Sequence, residues 1–104
     1  MGESHIFDMI VVGGGPGGYT AALYAARAGL DTLVLEKLSA GGPMALTGEV
    51  DNYPGFEEGI DGFTLGEKMQ RQAERFGAKT EYAQVEHMDL APSPKVLETS
   101  EGTF

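Results

Sequence analysis

The chain has 104 residues, 41% of them hydrophobic, which is material for one small globular domain and too little for two. Its 16 acidic and 7 basic side chains leave a net charge of −9, which excludes nucleic acid or an anionic membrane as a partner held by a basic patch. With no cysteine, these residues have no disulfide, thiolate metal site or redox dithiol.

Met1 to Phe7 reads as a frayed start in which His5 is exposed and inert. No basic-then-apolar leader precedes Asp8 and no apolar run is long enough to cross a bilayer, so a cytoplasmic protein is expected. Met9 to Val12 is a short apolar run, as expected of a parallel strand buried on both faces. Gly13, Gly15 and Gly18 then follow with the spacing GxGxxG. The first glycine permits a tight turn, the second lets a pyrophosphate approach the backbone, and the third lets helix and strand pack closely. Pro16 suits the first turn of a helix that runs through Ala28, with Gly29 as its stop.

Thr32 to Leu35 forms a second apolar strand and ends on Glu36, eighteen positions after Gly18. That is close to the roughly 20 at which an acidic residue meets a ribose 2′-hydroxyl. Strand, glycine turn, helix, strand and terminal acid together predict a dinucleotide pyrophosphate on the turn. The ligand is itself an anion and basic residues are scarce, so its phosphates must be held by backbone N–H groups and the positive end of the helix.

Lys37 to Gly62 shows no clear period and is punctuated by glycine and proline, yet it keeps tyrosine, phenylalanine, methionine and valine. It is expected to be a long loop ordered against a ligand. Phe63 to Phe76 predicts a helix with Thr64 as N-cap and Glu67 completing a capping box. Leu65, Met69, Ala73 and Phe76 form its buried stripe and its charges a solvated face. Lys79 to Val85 should be a third parallel strand beside the second. Glu86 to Ala91 and Lys95 to Thr99 read as strands around Pro92-Ser93-Pro94, with His87 exposed and without a catalytic partner. Thr103-Phe104 begins another strand after a turn at Glu101-Gly102. No catalytic residue and no metal motif stands out.

Four stretches carry a resemblance to a known family: GGGPGGYTAALYAARAGL with its strand ending in Glu36, the pair Gly41-Gly42, EVDNYPGF from Glu49 to Phe56, and QRQAERFGAK from Gln70 to Lys79. They resemble the low-molecular-weight, bacterial-type thioredoxin reductases over almost the whole chain. The resemblance implies an α/β, Rossmann-like three-layer FAD/NAD(P)-binding fold with parallel sheet order 3-2-1 and a small antiparallel meander at the C-terminal end. Residues 1–104 would be part of the FAD-binding domain, without its C-terminal segment and without the NADPH domain that carries a CxxC dithiol. By the same resemblance Gly13, Gly15, Pro16, Gly17 and Gly18 would line the pyrophosphate, and Glu36 and Lys37 the adenosine ribose. Gly42 and Pro43 would lie on the ribityl and flavin side, Asn52 would make a polar flavin contact, and the main chain of Val85 would run along the adenine. Pro43 departs from the glutamine usual in the family and offers neither amide side chain nor N–H.

The resemblance further implies a homodimeric enzyme that passes a hydride from NADPH to FAD and electrons on to a thioredoxin-like protein. The 104-residue piece alone is not expected to be catalytic. Three alternatives stay open: the FAD part of a related ferredoxin-NADP reductase, a non-catalytic dinucleotide-binding module, and an NAD-dependent dehydrogenase. Sheet order 3-2-1 would also leave Val11-Val12 on an open apolar edge, from which self-association is expected.

Overall fold

The computed structural model describes residues 5–37 and 48–104. Three parallel strands form the central sheet: β1 (Met9–Val12), β2 (Thr32–Glu36) and, after two short strands β3 (Glu49–Val50) and β4 (Ile60–Asp61), β5 (Lys79–Tyr82). Helix α1 (Pro16–Arg27) joins the first pair and α2 (Gly62–Arg75) leads into β5. The order β1-β2-β5 puts the second strand in the middle, with Met9 opposite Thr32 and Leu33 opposite Lys79. An antiparallel meander of β6 (Val85–Asp89), β7 (Val96–Thr99) and β8 (Gly102–Thr103) completes the described chain.

Side-chain alternation on the strands builds three layers. Val11 and Val34 point to one face, where Tyr19, Ala22 and Ala26 of α1 and Ala73 of α2 close a core. Ile10, Leu33 and Leu35 point to the other, where Leu97 of the meander, Val85 and Phe104 form a second core. Every residue of β2 is buried because the strand has a neighbour on each side and a layer over each face. The first strand is not buried on both faces as its apolar run predicts: Met9 is 37% and Val12 52% exposed. Its outer side lacks a neighbouring strand among the described residues, so pattern alone overstates its burial.

Alanines at positions 22, 25 and 26 keep α1 slim against the sheet. Tyr19 is the largest side chain in that core, 1% exposed, with its hydroxyl 3.1 Å from Thr80 Oγ1. Burial pushes its phenol up to about 12 from the ordinary 10. Between those values the unfolded chain ionises this tyrosine and the folded chain does not, so stability present below pH 10 falls as pH rises to 12. The loss is at most about 3 kcal/mol, from about 1.4 kcal/mol per pKa unit. Urea unfolding at pH 9 to 12 should show that fall, and Tyr19→Phe should flatten it relative to the parent chain.

Helix α2 starts at Gly62, one residue before the predicted Phe63, and its cap lies three positions earlier than expected. Its N-cap is Asp61 and not Thr64: the Asp61 carboxylate accepts the Thr64 N–H at 3.0 Å and the Thr64 hydroxyl at 3.3 Å. The threonine is placed one turn in, so Glu67 pairs with Arg71 at 3.7 Å, an i,i+4 contact, and no capping box forms. Removing the cap with Asp61→Ala should cost about 1 kcal/mol, read as a lower urea midpoint. Phe76, expected in the buried stripe, is 40% exposed because the helix has already ended at Arg75. The guanidiniums of Arg27 and Arg75 cover its ring at 5.6 and 5.2 Å from the centroid.

The third strand stops at Tyr82, short of Val85, which opens the meander instead. The change of sheet occurs at Ala83-Gln84: Ala83 donates to the Glu36 carbonyl at 2.9 Å, while Gln84 and Ser100 exchange bonds at 2.9 and 3.0 Å. Within the long segment after the second strand, Glu49–Val50 pairs antiparallel with Ile60–Asp61, a contact that periodicity did not predict. His87 lies exposed on β6. His5 is exposed too, but it has partners: Nε2 lies 2.7 Å from Asp31 Oδ2 and its ring is 4.2 Å from that of Phe7. No helix among the described residues is long and apolar enough to cross a membrane.

Candidate functional site

All three parallel strands point the same way, so their carboxyl ends, Val12, Glu36 and Tyr82, lie along one rim of the sheet. In open α/β sheets ligands sit outside that rim. A cleft of about 430 Å³ opens there, floored by Val12 and Leu35 and walled by the glycine turn, by Glu36-Lys37 and by Ala83 to Val85.

Gly13 turns the chain out of the sheet with φ +108°, a conformation that a side chain would strain, and its N–H still donates to the Leu35 carbonyl at 2.8 Å. The next residue, Gly14, is buried and gives its N–H to the Glu36 carboxylate. This bond clips the glycine turn to the tip of β2 and aims the carboxylate at the cleft wall. Gly15 is the N-cap of α1 and makes no side-chain cap; Pro16 follows at the first helical position. The first helical bond is Tyr19 N–H to the Gly15 carbonyl at 3.0 Å, so the N–H groups of Gly17 and Gly18 precede the helical ladder at the positive end of the helix. No acidic side chain occupies that first turn. Gly17 is exposed, and a Cβ built on it would meet nothing within 4 Å.

Gly18 has a different duty. A Cβ there would lie 2.0 Å from the Gly13 carbonyl oxygen and 3.3 Å from Val11 Cγ1. Only a bare backbone lets α1 begin this close to β1, and that closeness puts the helix terminus over the rim of the sheet.

Of the residues singled out from sequence, Gly13, Gly15, Glu36, Lys37 and Val85 line this one cleft. Pro16, Gly17 and Gly18 sit just behind it in the first turn of α1. Asn52 is elsewhere, in a separate shallow hollow with Asp51, Tyr53 and Phe56. Gly42 and Pro43 lie outside the described residues. Val12, Gly14, Leu35, Ala83 and Gln84 also line the cleft and escaped the sequence reading. Their common signal is position: each lies within two residues of the carboxyl end of a parallel strand.

Chemically the cleft offers amides, a helix terminus, one buried carboxylate and one lysine. Among the described residues no cluster of three His, Cys, Asp or Glu side chains could hold a metal. Such a set binds and orients. It does suit an adenosine diphosphate moiety. The turn is stripped of side chains where oxygens would meet amides, and the buried acid stands one strand away for a sugar hydroxyl.

A model of the FAD dependent oxidoreductase family matches residues 8–100. The bifunctional thioredoxin reductase/thioredoxin of Mycobacterium leprae is 52% identical over 97 residues, 93% of this chain and 21% of that protein. The thioredoxin reductase of Bacillus subtilis is 47% identical over 97 residues, 93% of this chain and 30% of its own length. Among solved structures, a thioredoxin reductase from Gloeobacter violaceus superposes with a TM-score of 0.89 at 45% identity, over 94% of this chain and 31% of that one. The chain therefore spans between a fifth and a third of the length of these relatives. With that family model matched over nearly its whole length, the chain belongs to the FAD dependent oxidoreductase family.

Proposed function

We propose that residues 1–104 form the N-terminal part of the FAD-binding domain of an NADPH-dependent thioredoxin-disulfide reductase, and that they hold the adenosine diphosphate half of FAD. The observation that carries this is the joining of two elements by one bond, the Gly14 N–H to the Glu36 carboxylate, at the mouth of a cleft lined by bare backbone. In this reading the amides of the glycine turn and of Gly17 and Gly18 meet the pyrophosphate, assisted by the positive end of α1. Glu36, with Lys37 beside it, accepts from the ribose hydroxyls, and the main chain from Ala83 to Val85 lies along the adenine. Gly42, Pro43 and Asn52 would serve the flavin side. Bound FAD would supply two-electron redox chemistry, and these residues would anchor and orient it.

For the complete protein we infer hydride transfer from NADPH to FAD, with electrons passing on to the disulfide of a thioredoxin-like protein. The nicotinamide and the exchanging dithiol would be held outside these residues, which contain no cysteine. We place that protein in the cytoplasm, where thiols stay reduced and dithiol exchange has a use, as a homodimer, the commonest closed assembly.

Titrating the 104-residue chain with FAD, ADP and NAD tests the reading. Quenching of flavin fluorescence by the chain, reversed by ADP, is expected. Preferential stabilisation by NAD, or FAD binding that ADP does not displace, would overturn it.

A further inference from the structure

Between β5 and β6 the chain leaves the parallel sheet for the meander, and the residues of that passage, Ala83 to Val85, are one wall of the cleft. They are held from two sides. Ala83 gives its N–H to the Glu36 carbonyl at the end of β2, at 2.9 Å. Gln84 is held by Ser100, which stands in the turn between β7 and β8. The Ser100 N–H donates to the Gln84 carbonyl at 2.9 Å, and the Gln84 N–H donates to Ser100 Oγ at 3.0 Å. In a regular antiparallel pair the second bond goes to a backbone carbonyl. Here a side-chain hydroxyl accepts it, so this rung of the ladder depends on the identity of residue 100. The turn that carries Ser100 is itself fixed. The buried Thr99 hydroxyl accepts the Glu101 N–H at 3.0 Å and donates to the Gly102 carbonyl at 2.7 Å.

The rung decides where the next peptide groups point. Because Gln84 and Ser100 are the bonded pair, Val85 and Thr99 form the non-bonded pair beside it, and the N–H and C=O of Val85 face away from β7. A register shift between Val85 and His87 breaks the ladder immediately beyond, which leaves the Gln84–Ser100 rung to set that orientation. One donor and one acceptor on the cleft wall are complementary to the N1 acceptor and 6-amino donor of adenine. Hypoxanthine, with N1–H and a 6-oxo group, presents the reverse pattern. The side chains of the wall cannot make this choice: Ala83 and Val85 have no polar atom, and the Gln84 amide can turn either its donor or its acceptor inward. We propose that Ser100 is a positioning residue for base selection, whose hydroxyl holds Gln84 so that the Val85 main chain accepts adenine and rejects a 6-oxopurine. This rests on the assignment of the cleft to the adenosine diphosphate half of FAD.

Calorimetric titration of the chain with ADP and with inosine diphosphate tests the proposal. The parent should prefer ADP by about 10- to 100-fold, since two matched hydrogen bonds become two mismatched ones. Ser100→Ala should lose about 10-fold in ADP affinity while inosine diphosphate changes by less than about 2-fold, because its binding makes no use of the Val85 groups. Ser100→Thr keeps the hydroxyl and should keep the parent's preference. Ser100 is exposed and fills no core, so Ser100→Ala should fold as the parent does. Hydrogen exchange reads the clasp without any nucleotide: the Gln84 amide should exchange faster in Ser100→Ala than in the parent or Ser100→Thr. A general loosening would weaken both nucleotides alike; that outcome, or an unchanged ADP affinity in Ser100→Ala, overturns the role of Ser100 and leaves the ADP site standing. So does a parent chain that binds the two nucleotides equally. A parent that binds neither removes the assignment of the cleft and this proposal with it.

Discussion

Gly18→Ala is expected to lower the melting temperature by about 10–20 °C, the equivalent of about 3 kcal/mol in a chain of this length. The added methyl would be placed 2.0 Å from the Gly13 carbonyl oxygen and 3.1 Å from its carbon. Both are backbone atoms at a turn already held by the Gly13 N–H bond to Leu35, so no rotamer change relieves the clash. The start of α1 must instead lift from β1, which loosens the packing of Tyr19 and Ala22 beneath it. Against a total stability of about 5–15 kcal/mol, a loss of this size removes a fifth to more than half of the margin that keeps the chain folded. Gly17→Ala is the control one position earlier. Its Cβ meets nothing within 4 Å, and alanine is the better helix former by up to about 1 kcal/mol, so its melting temperature should stay level or rise. Similar losses in both variants would mean that Gly18 serves no close approach of helix to strand.

Removing the Glu36 carboxylate should weaken ADP binding by about 10- to 100-fold, the worth of one or two hydrogen bonds to a charged group. Two effects add. The direct one is loss of the acceptor proposed for the ribose hydroxyls. The indirect one is loss of the bond that holds Gly14, which lets the glycine turn drift from the geometry its amides need. Glu36→Gln keeps the side chain's size and one neutral acceptor, and should fall between the parent and Glu36→Ala. Calorimetric titration measures the affinities, and thermal unfolding without ligand shows how much is simple destabilisation, since the carboxylate is buried with Gly14 N–H as a partner. An unchanged ADP affinity in Glu36→Ala would remove this residue from the site.

How far the sequence was legible depended on how local each determinant was. The strand from Met9, the turn, α1 and the strand ending at Glu36 were readable because every cue lies within a few residues of the feature it sets: a short apolar run for a strand, glycine for φ +108°, proline at the first helical position. The cap of α2 was misplaced because Thr64 satisfies the capping-box pattern, but Asp61 leaves β4 in an extended conformation with its carboxylate already at the Thr64 N–H. Phe76 has helical spacing for burial, but the helix ends one residue before it. Asn52, given a flavin contact by resemblance, lies in a hollow separate from the cleft at the glycine turn. Ala83 and Gln84 carry no motif; they line the cleft only because the third strand ends level with the first two.

What these residues determined unaided was a β-turn-α-β unit with a stripped amide turn and an acid at the end of its second strand. Glycine's freedom, proline's fixed φ and the two hydrophobic periods act over short range and need no partner. The sheet order, with the second strand in the middle and the first on an edge, was expected from the resemblance and holds; what only the tertiary arrangement decided was how far that edge position leaves the apolar run of β1 open, with Met9 and Val12 exposed. It also decided that Ala83 to Val85 should face the glycine turn across the cleft, 70 residues away in sequence from Gly13 to Ala83. Strand order and a shared carboxyl rim are properties of how elements pack, and no window of neighbouring residues contains them.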